Sequence, residues 1–242
     1  MNEGAEPIKE EEGSRLRRET VEHYLETIFY IAHEGEVVRP GRIAEWQGVS
    51  APTVSATLGK LERDGWIAMA TDRSVTTTER GESLAATVVR HHRLLERWLT
   101  DTLGLDWASA DEEAQRLAPG LTDEVADRLA AHLGDPTTCP HGNVIPGRPL
   151  PYGELVALAD LDPGARATVR RISEVAEHDA PQVLRQLEAF GLLPGVSVTI
   201  GDGDPGLGAI AVEVGDETVA LGLAVAQLVW AERSEEWIHD GA

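Results

Sequence analysis

A chain of 242 residues, 42% of them hydrophobic, has material for roughly two or three small domains with real cores. Its 42 acids against 21 bases leave a net charge of −21, which argues against a uniformly basic nucleic-acid binder. A single cysteine, Cys139, excludes an internal disulfide and a thiolate cluster, and no apolar run approaches the ~18 residues of a membrane span.

Residues 1–13, MNEGAEPIKEEEG, lack the apolar core of a signal peptide and are expected to be a disordered acidic lead-in. A cytoplasmic protein with no membrane partner is therefore expected. The first helix should run from about residue 14 to 32, with Val21, Tyr24, Leu25, Ile28 and Ile31 as its buried stripe. His23 and Glu26, three apart, project from neighbouring positions of one face.

The stretch 39–80 reads as helix, tight turn, helix and two-stranded wing. Residues 42–47 place Ile43, Ala44 and Trp46 at helical spacing, and Gly48 breaks the run. Ser50 offers a side-chain oxygen to cap a second helix, with Pro52 in the first turn, where a missing N–H costs little. Val54, Leu58 and Leu61 form its core stripe, and Thr53, Ser55, Ala56, Thr57, Lys60 and Arg63 lie opposite. Small and hydroxylated residues at the start of such a helix let it enter a major groove, and cations further along meet phosphate.

Strands over 66–71 and 75–78 flank a turn at Asp72, Arg73 and Ser74, which aims Arg73 at the DNA backbone. From Val37 to Val75 five bases (Arg39, Arg42, Lys60, Arg63, Arg73) face four acids (Glu45, Glu62, Asp64, Asp72), a local net of +1 that leaves −22 elsewhere. Residues 14–80 are thus expected to be a winged helix-turn-helix domain for double-stranded DNA, with weak non-specific binding that falls steeply with salt. The five bases would hold phosphates, Thr53 and Ser55 base edges, and Ala56 a thymine methyl; Ala51 and Pro52 would pack beside the groove wall, after the Ser50 cap.

Residues 81–134 should form a helical block, with helices over 81–98, 108–117 and 123–133. Leu84, Val88, Leu95 and Trp98 make an apolar line along the first, and His92 and Glu96 stand four apart on it. Residues 135–152, rich in proline and glycine, read as a linker. Residues 153–242 alternate short apolar runs (155–158, 166–172, 197–200, 209–214, 217–221) with turn signals and one helix over 180–190, which fits a small barrel. The glycine-rich loop 201–208 opens no helix, so it is not a phosphate cradle, and no nucleophile–base pair suggests an enzyme.

The order of segments resembles the iron- and manganese-dependent repressors typified by the diphtheria toxin repressor. VEHYLETIFYI, APTVSATLGKLERDGWI, DRSVTTTERGESLA, HHRLLERWLTDTLGLDW, LTDEVADRLAAHLG and CPHGNVIPG carry the likeness, from about residue 20 to 231. The resemblance implies a mainly α protein with a small β domain: a winged helix-turn-helix, a helical dimerisation domain and a C-terminal SH3-like barrel. It also implies a homodimer that represses metal-uptake genes at a palindromic operator when a divalent metal tightens its fit.

One of the family's metal sites looks intact. His92, Glu96 and Asp111 occupy ligand positions on the helices, and Glu174 and Glu177 match those supplied by the SH3-like domain. One imidazole and four carboxylates suit Mn²⁺ or Fe²⁺, and no thiolate is at hand to favour zinc or copper. The family's activating site is altered: Gln115 keeps only an amide oxygen, Ala118 has no ligand atom, and Pro119 breaks the helix. His23 and Glu26 remain from it as weak ligands, His23 being expected half-buried.

Three outcomes stay open: a switch through the retained site, a metal-independent regulator, or a response near neutral pH through His23, His91 and His92. A protein-interaction module is the rival class, because SH3-like barrels bind proline-rich segments. The chain's own NVIPGRPLP would be such a ligand, docking in cis.

Overall fold

The computed structural model describes residues 16–203 and 208–234, and of 177–179 the backbone alone. The acidic lead-in, the expected helix start at 14, most of the glycine-rich loop and the Glu177 side chain therefore lie outside the described residues. The chain divides into two compact units, Met1–Ala86 and Thr87–Ala242. Among the described residues no helix is long and apolar enough to cross a membrane.

In the first unit α1 (Arg18–His33), α2 (Pro40–Gln47) and α3 (Ala51–Arg63) precede a hairpin of β1 (Ile67–Met69) and β2 (Val75–Thr77). Val21, Tyr24, Leu25, Ile28 and Ile31 are buried with Ile43, Trp46, Val54, Leu58 and Leu61, so the helical stripes meet in one core. Gly48, at φ 62°, ends α2 in the left-handed region. Ser50 then caps α3, its Oγ accepting from the Thr53 N–H at 3.3 Å. The strands pair antiparallel, Ile67 opposite Thr77, and are shorter than their apolar pattern suggests. A Cβ on Gly81 would lie 2.0 Å from the Trp66 carbonyl oxygen, so only glycine lets the next helix begin against the wing.

That helix, α4 (Glu79–Asp101), runs on into the second unit, where α5 (Trp107–Leu117) and α6 (Asp123–His132) follow. Its buried line is Ala85, Val89, Leu94, Leu95 and Leu99, not the expected Leu84 and Val88, which are half-buried. His91, His92, Arg93 and Glu96 are buried as well, so its polar residues point inward.

The β domain is a six-stranded antiparallel sheet in the order β3-β8-β4-β5-β6-β7. Its strands are β3 (Val156–Ala157), β4 (Arg166–Ile172), β5 (Ser197–Ile200), β6 (Ala209–Val214), β7 (Glu217–Gly222) and β8 (Val229–Arg233). Helices α7 (Glu174–Asp179), α8 (Pro181–Ala189) and α9 (Leu223–Ala226) connect them. Trp107 and Ala108, at the start of α5, pack into this domain's core with Val169, Ile172 and Leu184. The α5 N-terminus is thus anchored to the β domain, which matters for Asp111 four residues on.

Candidate metal centre and nucleic-acid interface

Glu96 is the centre of the polar interior of the second unit. It is fully buried, and among the described residues neither of its carboxylate oxygens takes a hydrogen bond. A buried anion in that state costs several kcal/mol, about, unless a cation compensates it. What it meets are two imidazoles: His92 Nε2 at 3.5 Å, one turn back on α4, and His141 Nδ1 at 3.3 Å, both on Oε1. His92 Nε2 also lies 3.2 Å from Asp111 Oδ1 on α5, and Cys139 Sγ lies 3.8 Å from His141 Nδ1.

Burial alone would depress the His92 imidazole, but the Glu96 and Asp111 carboxylates outweigh it and raise its pKa well above the usual 6.5. Burial alone would likewise raise Glu96, yet His92 and His141 hold it far below the usual 4.5. The neighbouring carboxylates thus favour the protonated form of the His92 imidazole in the metal-free cluster. Imidazole, carboxylate and thiol donors at these spacings fit a divalent cation, which would take the place of that proton.

The structure brings together His92 and Glu96, as their spacing suggested, and Asp111, as the resemblance implied, and adds two residues that sequence reasoning passed over. Cys139 and His141 both lie in the stretch expected to be a linker, and the Cys139 thiol beside Glu96 and His141 corrects the expectation that no thiolate is at hand. The segment is packed: Cys139, His141, Asn143 and Ile145 are buried. Arg97, on α4, donates to the carbonyl oxygens of Thr138 at 3.1 Å and of Cys139 at 2.6 Å. The His141 carbonyl accepts from the Ile172 N–H at 2.8 Å, and Asn143 donates to the Ile172 carbonyl at 3.0 Å. Gly142, at φ +89°, has the Arg170 carbonyl oxygen 1.9 Å from where a Cβ would be, so no side chain fits between loop and β4. Trp107 stands edge-on to the His141 ring at 5.0 Å. The only local signal was the Cys-Pro-His triplet followed by apolar Ile145.

Among the described residues Glu174 is not grouped with the donors around Glu96; its carboxylate is ion-paired with the buried Arg93 guanidinium, which also donates to the Val144 carbonyl. Of the altered site, Gln115 is exposed on α5, and Ala118–Gly120 form a 3-10 turn rather than a helical ligand pair. Glu26 is buried and accepts from the Tyr30 hydroxyl at 3.1 Å, whereas His23 is exposed, not half-buried, because it points away from the α1 stripe.

On the first unit, Ala51, Pro52, Thr53, Ser55 and Ala56 are all exposed on α3. The five cations are not equivalent. Arg39 donates to the Asp72 carbonyl at 2.9 Å, and Arg42 is held by Glu36 at 3.0 Å beside the Trp46 ring. Among the described residues Lys60, Arg63 and Arg73 form no ion pair. Arg73 sits at φ 65°, held there by the Asp72 carboxylate, whose Oδ1 accepts from the Ser74 N–H at 3.0 Å and the Ser74 hydroxyl at 2.7 Å. Those bonds, with Arg39 nearby, keep the Asp72 carboxyl below its usual range.

Three family models cover most of the chain. The iron dependent repressor N-terminal DNA binding domain matches 18–75, the iron dependent repressor metal binding and dimerisation domain 78–147, and the FeoA domain 156–233. The iron-dependent repressor IdeR of Mycobacterium tuberculosis is 38% identical over 226 residues, 89% of this chain and 97% of that protein. The diphtheria toxin repressor of Corynebacterium diphtheriae is 46% identical over 129 residues, 53% of this chain and 57% of its own. A solved manganese-dependent transcriptional repressor in complex with manganese superposes with a TM-score of 0.78 at 32% identity, covering 88% of this chain and all of that one. The chain belongs to the iron-dependent repressor family of IdeR and the diphtheria toxin repressor.

Proposed function

We propose that this chain is a metal-responsive DNA-binding repressor of metal-homeostasis genes, acting in the cytoplasm as a homodimer on a palindromic operator. The observation that carries the metal half is Glu96, a fully buried carboxylate ringed by His92, Asp111, Cys139 and His141 in a chain that also presents a polar recognition helix. A bound Mn²⁺ or Fe²⁺ supplies the positive charge that the cluster otherwise draws from protonated imidazole. His92 and Glu96 offer their ligand atoms from one face of α4, and Asp111 offers its own from α5. Arg97 and Trp107 hold the loop that delivers Cys139 and His141.

The family's activating site is degenerate in this reading; the exposed Gln115 and the 3-10 turn at Ala118–Gly120 support that. DNA contact falls to Thr53, Ser55 and Ala56 at base edges and to Lys60, Arg63 and Arg73 at phosphates, with Arg39 and Arg42 exchanging carboxylate for phosphate. Docking of the former linker on the β domain is supported by the His141–Ile172 and Asn143–Ile172 hydrogen bonds.

A mobility shift on promoter fragments of metal-uptake genes, in dilute buffer with and without Mn²⁺ or Fe²⁺, tests the function. Binding strengthened by metal is the expected result. A shift indifferent to metal points to a metal-independent regulator of the same fold, and no shift at low salt points to an interaction module.

A further inference from the structure

The donors around Glu96 divide into two triads that share only that residue. In one, His92, Glu96 and Asp111 each present a ligand atom, all within 4.8 Å of one another; in the other, Glu96, Cys139 and His141 do the same. Among the described residues the five do not form one such group. An ion with bonds of about 2.0–2.3 Å spans donors up to roughly twice that distance, so each triad matches one ion.

We propose that Glu96 bridges two divalent cations of different character. The position with His92 and Asp111 has only imidazole and carboxylate donors and takes Mn²⁺ or Fe²⁺; the position with Cys139 and His141 carries a thiolate and takes a softer ion such as Co²⁺ or Zn²⁺. Glu96 is suited to the bridge because it is fully buried and both oxygens are free of hydrogen bonds among the described residues. The two imidazoles approach the same oxygen from opposite partners, α4 and the Cys139 loop, at 3.5 and 3.3 Å. Asp111 is the most exposed donor, with 28% of its side chain accessible, whereas the thiolate triad is closed. The two positions therefore differ in access as well as in hardness. This inference rests on the proposed metal centre and adds its stoichiometry and its division by ion type.

The test is Co²⁺ titration of the metal-free full-length protein, followed by near-ultraviolet thiolate-to-cobalt absorption, visible ligand-field bands and metal counting after desalting. Cys139→Ser is expected to lose the charge-transfer band and one equivalent while keeping ligand-field absorption. Asp111→Asn is expected to lose the other equivalent and keep the band, and Glu96→Gln to lose both. Circular dichroism and melting of each near-isosteric variant check that it is folded. Loss of the charge-transfer band in Asp111→Asn, or loss of all ligand-field absorption in Cys139→Ser, means a single ion and overturns the bridge; so does a wild type that fills only one triad. If the wild type holds no more Co²⁺ than Glu96→Gln, the metal centre itself is wrong.

Discussion

His141 Nδ1 lies 3.3 Å from Glu96 Oε1, joining a proline-flanked loop to the middle of the long helix α4. The contact ties a residue with no regular secondary structure to one whose position is fixed by helix geometry. It makes Glu96 the residue on which every other donor converges.

Glu96→Gln keeps the shape of the side chain and removes its charge, and His92→Ala removes an imidazole donor. Each is expected to weaken Mn²⁺ binding by more than the ~10–100-fold that losing a supporting residue costs. Gln115→Ala should leave affinity unchanged, because Gln115 is exposed and outside the cluster. Calorimetric titration of the three variants decides this; equal affinities would remove Glu96 and His92 from the site.

Arg97 positions the thiol and imidazole indirectly, through the Thr138 and Cys139 carbonyls. Arg97→Met is expected to lower metal affinity about 10–100-fold, with Arg97→Lys recovering part of it. A role limited to stability would lower the melting temperature in both variants and leave the affinity of the folded protein intact.

Arg93 and Glu174 form a buried ion pair, each about one-twentieth exposed. Arg93→Met alone should destabilise the protein by about 3–5 kcal/mol, because it strands a buried carboxylate, whereas Arg93→Met with Glu174→Leu should recover most of that loss. Denaturant unfolding of the metal-free protein measures both. If the single and double variants are equally unstable, the pair is not what the site protects.

The protonation of the cluster gives a pH signature. His92 is raised above its usual 6.5, so its stabilising share is complete below that value and is lost as pH climbs through the raised pKa. Glu96 is lowered below its usual 4.5, so its share is present above that value and is lost as pH falls. For this pair the metal-free protein is expected to be most stable between about 4.5 and 6.5. Metal must displace the His92 proton, so affinity should rise about tenfold per pH unit for each proton released, from neutrality upward. Melting curves and metal titrations across pH, with buffers of different ionisation enthalpy, test both signs.

Arg73 carries its charge at a backbone conformation that glycine prefers, φ 65°. Arg73→Gly should therefore leave the melting temperature unchanged or higher, yet weaken DNA binding and reduce the salt slope by about 1. Lys60→Ala and Arg63→Ala should reduce the slope similarly. Arg39→Ala should reduce it less, since Arg39 already faces Asp72. Anisotropy titrations over a salt series distinguish these cases.

The first unit was legible because its signals are local. Gly48 and Ser50 mark the turn and the cap, and Val54, Leu58 and Leu61 mark the face, within one short stretch. His92 and Glu96 were legible for the same reason, being one helical turn apart. Cys139 and His141 were not, because a loop without periodicity carries no facing rule, and its partner lies far back in the chain. The ion pair of Glu174 with Arg93 could not be read from spacing either, since Arg93 reaches it only through the packing of α4 against the 139–145 loop and β domain. Strand β8 and helix α7 also went unread; both are short and lack a flanking turn signal strong enough to set them apart.

The most direct measurement is the affinity of Glu96→Gln and wild type for the same labelled promoter fragment, by anisotropy, from zero to saturating Mn²⁺. The expected result is a wild type that tightens on the order of 5–150-fold with metal and a variant whose affinity stays flat at the metal-free value. A Glu96→Gln protein that folds and still tightens as much as wild type would contradict the central claim, that the switch is built around this one buried carboxylate.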